Sequence, residues 1–263
     1  HGGFDEAGQL AMGNTWAAVR GLASPEQARS IVDEYRRRHL ASGDCCPWWS
    51  LQPPYPDELG YWRDDYRKAG GYANGGLMPW VGGELCLAAL QNGREEYGVS
   101  LLRGYARHLR ETGGSHVWYF ADGQPGFRTT NEVDYTGWGM AQWLNALVEG
   151  LAGVRDAASR FDAAEVSPRW AAAGITQARV CASYAASGGY IAYDYRLEDA
   201  LTMRVTGSGR LARFHVLLPP GWQTANAWLE GRPLEAQTVR ADGSLYLDFA
   251  VPLEGVQTVR ITG

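Results

Sequence analysis

A single switch in hydrophobic spacing constrains this chain most. Apolar residues recur with a helical period up to about residue 165 and with a strand period after it. Before the switch, Ile31, Val32, Tyr35 and His39 share one helical face. Leu77, Val81, Leu85 and Ala88 share another, and Tyr97, Leu101, Tyr105 and Leu109 a third. After it, alternate residues are apolar in Ile191/Tyr193/Tyr195, Leu201/Met203/Val205, Leu245/Leu247/Phe249 and Val259/Ile261. Turn signals separate these runs at Gly188-Gly189, Gly207-Ser208-Gly209, Pro219-Pro220-Gly221, Glu230-Gly231 and Asp242-Gly243. A chain of 263 residues holds two domains of ordinary size. The expectation is an α+β chain, with helical hairpins over residues 1–164 and an antiparallel β-sandwich of short strands over residues 165–263.

Punctuation inside the helical part is specific. A helix is expected from about Gln9 to Arg20, stopped by Gly21. Ser24-Pro25-Glu26-Gln27 reads as the start of the next, with Ser as cap, Pro at the first helical position and Gln three residues on. Further helices are expected from Leu77 to Gln91, from an Asn92 cap to Gly113-Gly114, and from Tyr135 to Leu151. The last would place Trp138, Gln142, Asn145 and Glu149 on one face.

Long irregular stretches separate these helices, and they carry the unusual composition. The chain has 11 Trp and 14 Tyr against 6 Phe. Trp and Tyr combine a flat apolar face with a polar edge, which suits a pyranose ring. Residues 43–75 include Trp48, Trp49, Tyr55, Tyr61 and Trp62 beside the acids Asp44, Asp64 and Asp65. Gly71-Tyr72-Ala73-Asn74-Gly75-Gly76-Leu77-Met78-Pro79-Trp80 follows, where glycines permit close backbone approach and Asn74 both donates and accepts. A second segment, Asn131-Glu132-Val133-Asp134-Tyr135-Thr136-Gly137-Trp138, sets carboxylates just before a helix. Helix capping is the competing explanation for both acids, and the stronger one for Asp134.

The net charge of −5 argues against a duplex nucleic-acid partner. No run of about 18 apolar residues is present, so no membrane span is expected. Cys45, Cys46, Cys86 and Cys181 show neither zinc-ligand nor disulfide-framework spacing, which fits a reducing, cytoplasmic setting. His39, His108, His116 and His215 are scattered, and His1 opens a helical rather than a β segment. No metal and no cofactor is expected.

Several of these segments resemble a known superfamily. Phe4-Asp5 through Asn14-Thr15-Trp16-Ala17, Gly21-Leu22-Ala23 and Pro25-Glu26-Gln27-Ala28 look like a hairpin of six-hairpin glycosidases. Tyr72 to Trp80 resembles the Y-x-N-G-x-x-W-P-W segment of glycogen-debranching-type α-glucosidases and the NGG segment of cellobiose-phosphorylase-like enzymes, with Met78 in place of a tryptophan. Glu132 to Gln142-Trp143 is similar to the stretch in which a base glutamate precedes a G-x-x-Q-x-W helix. The resemblance covers residues 4 to 150 and implies part of an (α/α)6 toroid with a β-sandwich appended. It implies Glu132 as general base of an inverting glycosidase. Tyr72, Asn74, Trp80, Trp48, Trp49, Trp62, Asp64, Asp134, Trp138 and Gln142 would bind the carbohydrate.

A complete toroid needs about twice the helices seen here, and its general acid comes from the earlier half. The resemblance therefore implies the C-terminal half of a longer enzyme, or association with a second copy or a missing N-terminal half. Two further readings stand beside hydrolysis. Phosphorolysis would need a cationic cluster, for which Arg63, Arg67, Lys68 and His116 are the candidates. A non-catalytic carbohydrate-binding fragment would bind sugar without turnover.

Overall fold

The computed structural model describes residues 4–59, 68–126 and 135–263, and these form two compact units, His1–Ala146 and Leu147–Gly263. The first is helical. The two-residue strand β1 (Leu10–Ala11) precedes helix α1 (Met12–Val19) and pairs with β2 (Leu51–Gln52), which lies beyond the second helix. Helix α2 (Pro25–Ser42) begins on the expected capping box: Gln27 N donates to Ser24 Oγ and Ser24 N to the Gln27 side chain. Gly43 ends it in the left-handed conformation at φ 74°.

Helix α3 (Pro79–Gln91) is the hub. Its apolar residues run all round, and α1, α2, α4 (Glu95–Thr112) and α5 (Gly137–Asn145) all pack on it. A helix without a polar face must be surrounded. Two glycines let neighbours approach closely. A Cβ on Gly82 would fall 2.4 Å from Trp48 Cδ1, and one on Gly83 would fall 2.6 Å from Gln142 Cβ on α5.

Two expected boundaries move. Asn92 does not cap α4: it closes α3, and its side chain donates to Ala88 O. The expected final helix runs only from Gly137 to Asn145, with Thr136 Oγ1 accepting from Trp138 N as its cap, and then widens into a π-helical turn over Ala146–Leu151.

The second unit is built of two sheets. One has six strands in the order β10-β9-β13-β7-β6-β5, the other five in the order β11-β12-β8-β4-β3. Here β3 is Val154–Ala158, β4 Ala163–Val166, β5 Gln177–Tyr184, β6 Gly189–Leu197, β7 Leu201–Gly207 and β8 Leu211–Leu217. Then follow β9 Asn226–Leu229, β10 Arg232–Leu234, β11 Ala236–Ala241, β12 Ser244–Pro252 and β13 Gln257–Thr262. Burial alternates along β6 and β7, so Ile191, Tyr193, Tyr195, Leu201, Met203 and Val205 fill a core. Every pairing is antiparallel except β4 with β8, which is parallel. Residues 147–164 were expected in the helical part. They join this β unit instead, because Val154–Ala158 pairs with Ala163–Val166 and that strand pairs in turn with Leu211–Leu217.

Candidate active site

The loops that precede α1, α3 and α5 are tied to one another by backbone hydrogen bonds. Ser50 N donates to Gly76 O at 2.9 Å and Met78 N to Trp48 O at 2.7 Å. Leu77 and Tyr119 exchange both backbone bonds, and Met12 N donates to Ser50 O. Segments 48–50, 76–78 and 118–120 therefore lie side by side beneath the helix starts.

A layer of aromatics rests on this base. Met78, Val81, Val117 and Trp118 form a buried cluster, and Met12, Tyr72, Trp80 and Phe120 pack on it half-buried. Trp16 of α1 meets Trp80 of α3 edge to face, with ring centres 5.8 Å apart. Tyr72 and Phe120 contact Trp118 at 6.3 and 4.6 Å. Trp16 is 51% exposed, so this face is open to solvent. One turn further along both helices, Arg20 reaches the fully enclosed Glu84 carboxylate at 3.1 Å. This pair fixes α1 against α3 below the two tryptophans.

Helix α5 starts against the same place. A Cβ on Gly139 would fall 2.7 Å from Pro79 Cβ, so the first turns of α5 and α3 touch. Trp138 in that turn is 64% exposed. Gln142, one turn on, is half-buried over Gly83.

The expected site residues divide accordingly. Tyr72, Trp80 and Trp138 are available at the surface of the helical unit. Trp48 and Trp49, expected as sugar-binding rings, are instead core side chains, 1% and 2% exposed, and take no part in the open aromatic face. Trp48 lies among Tyr105, His108, Tyr119 and Trp143, while Trp49 stacks on Tyr35 and donates to Asp44 Oδ2 at 2.6 Å. Asn74 is buried too. Its Oδ1 accepts from Tyr55 N at 2.7 Å and its Nδ2 donates to Tyr55 O at 3.0 Å, so its amide locks two loops together. Glu132, Asp134, Trp62 and Asp64 lie outside the described residues, as do Arg63, Arg67 and Asp65. The residues flanking Glu132 are placed: Gly126 N donates to Trp118 O, and the Tyr135 ring packs on His116 at 4.8 Å. That packing leaves His116 only 4% exposed, which removes it from any open cationic cluster with Lys68.

The sequence reading gave no binding role to Trp16, Trp118 or Phe120. A signal was present for Trp16, which sits in the Asn14-Thr15-Trp16 hairpin segment; Trp118 and Phe120 lie in a loop without periodicity. Among the described residues, no group of three or more His, Cys, Asp or Glu side chains is arranged to hold a metal ion. No helix of the described residues is long and apolar enough to cross a membrane.

No protein-family model and no curated protein matches the chain. Solved structures do match. An α-L-rhamnosidase from Dictyoglumus thermophilum aligns over 72% of this chain at 10% identity and a TM-score of 0.45. A structure described as a glycoside hydrolase aligns over 72% of the chain at 10% identity and a TM-score of 0.34. The chain spans 21% and 33% of the lengths of those two proteins.

Proposed function

We propose that this chain is a carbohydrate-processing segment, a glycoside hydrolase or the C-terminal half of one. Its helical unit presents the aromatic layer of Trp16, Tyr72, Trp80, Phe120 and Trp138 as one side of a sugar-binding cleft. The observation that carries this reading is the gathering of half-buried and exposed Trp and Tyr rings at the starts of α1, α3 and α5, above a base of hydrogen-bonded loops. Tryptophan faces left open to water are uncommon, and such rings suit the C–H faces of pyranoses.

In this reading Glu132 is the general base, activating a water that attacks the anomeric carbon, while a carboxylic acid on the opposite side protonates the leaving oxygen. Inversion requires the two carboxyl groups about 6.5–9.5 Å apart. The acid would come from helices outside this chain. The exposed Met140 and Leu144 of α5, one turn apart, support such an arrangement, as a surface that a further helical hairpin covers, in a second copy or in a preceding half.

The test is a panel of aryl glycosides and oligosaccharides assayed with wild type, Glu132→Gln and Trp80→Ala. Trp80→Ala is expected to weaken sugar binding by about 1–2 kcal/mol in titration calorimetry. Glu132→Gln is expected to keep binding and to lose turnover by a factor of 10² or more, roughly the weight of a general base. Turnover unchanged in Glu132→Gln would remove that residue from the mechanism. Sugar binding with no turnover in any preparation would favour the non-catalytic fragment.

A further inference from the structure

Away from the aromatic layer, helices α2 and α4 and the loop after α2 enclose a cleft of about 620 Å³. Its floor holds Cys45, Cys46, Trp48 and His108, and charged side chains of both signs stand on its rim: Arg36 and Arg107 with Glu96 and Glu111. The cysteine sulfurs are 3.1 Å apart, with Cys45 exposed and Cys46 buried.

Several features hold this pair in place. Cys45 N donates to Ala121 O at 2.9 Å, and the loop is anchored again where Trp49 holds the Asp44 carboxylate. Gly123 makes room for the thiol: a Cβ there would stand 3.2 Å from Cys45 Sγ and 3.4 Å from the His108 ring. One side chain of the floor, His108, is buried yet has a ring nitrogen, Nε2, without a hydrogen-bond partner. Buried polar atoms left unmatched are rare in folded proteins.

We infer that this cleft is a thiol–disulfide exchange site for a small zwitterionic disulfide of the oxidised-glutathione class, with Cys45 as the attacking sulfur and Cys46 as the resolving one. The roles follow from the surroundings. The contact with Cys46 favours the Cys45 thiolate, whereas burial, reinforced by Cys45, pushes the Cys46 thiol up. Arg36 and Arg107 match the carboxylates of such a ligand, and Glu96 and Glu111 its ammonium groups.

The Cys45 thiolate attacks one sulfur of the ligand, forming a mixed disulfide, and the first ligand thiol leaves with a proton. Cys46 then loses its proton and attacks the Cys45 sulfur, and the second ligand thiol departs protonated. Two protein thiols are oxidised and one ligand disulfide is reduced. Adjacent Cα atoms lie ~3.8 Å apart, closer than in ordinary disulfides, so the product ring is strained and readily reduced again.

The experiment follows the fully reduced chain with oxidised glutathione, and in parallel with the uncharged bis(2-hydroxyethyl) disulfide, by peptide mapping in a mass spectrometer. The exposed Cys181 serves as an internal reference thiol. Cys45 is expected to react roughly tenfold faster than Cys181. The wild type then goes on to a Cys45–Cys46 disulfide, whereas Cys46→Ser accumulates the glutathionyl adduct on Cys45. Arg107→Glu is expected to slow the glutathione reaction several-fold and to leave the uncharged disulfide unaffected. Equal rates at Cys45 and Cys181 would overturn the proposal, as would an Arg107→Glu variant that treats both disulfides alike.

Discussion

Gly82 has no room for a side chain, because Trp48 and Trp143 fill the space a Cβ would take. Gly82→Ala is therefore expected to destabilise the helical unit by about 1–3 kcal/mol, read from urea unfolding followed by tryptophan fluorescence. Trp48 also explains why the aromatic loops were hard to read. A tryptophan in an aperiodic stretch looks the same in sequence whether it faces a ligand or the core, and only the contact with Gly82 decides. Asn74 is similar: a polar residue between glycines reads as ligand-binding, but its amide is occupied by Tyr55. A different residue gives a pH-dependent prediction. Arg37 and Arg38 bond the Glu34 carboxylate and hold it down to about 2. A lowered carboxyl contributes stability above its unfolded value near 4.5, and that contribution fades as the pH falls toward 2. In an Arg37→Ala/Arg38→Ala variant, the Glu34 midpoint is expected to rise toward the ordinary glutamate value, as followed by carboxyl NMR.

At the scale of elements, local signals were the readable ones. The Ser24 capping box was legible because its chemistry lies within four consecutive residues, and Ser24→Ala is expected to cost about 1 kcal/mol in thermal unfolding. Strands β6 and β7 were legible because alternation is enforced by a core on one face. Residues 147–164 were not, since Val154–Ala158 has a mixed burial pattern and becomes a strand only by pairing with Ala163–Val166. Helix α5 leads to a test of association. Leu144→Glu introduces a charge on its exposed apolar face, far from the Trp16–Trp80 pair in sequence. If α5 carries the proposed association, wild type is expected to associate in sedimentation, and Leu144→Glu to remain monomeric with the helical unit still folded by circular dichroism.

At the scale of the whole molecule, each unit has its own buried core. The segment 147–263 carries its own closing contacts: Arg169 Nη1 donates to Gly150 O and Tyr193 Oη to Ala152 O. Expressed alone, it is expected to fold cooperatively with a β-type circular dichroism spectrum, and a molten or aggregated product would refute this independence. Strand β4 adds a constraint on timing. It pairs with β3 on one side but lies parallel to β8 on the other, with β5, β6 and β7 intervening in the chain. During synthesis the β3–β4 hairpin leaves the ribosome well before β8 exists, so its outer edge stays unmatched for the whole of that interval. The last-made third of the protein thus completes the earliest-made strands of the β unit, and a ribosome stalled before residue 211 would hold a nascent chain with an open edge offered to its neighbours.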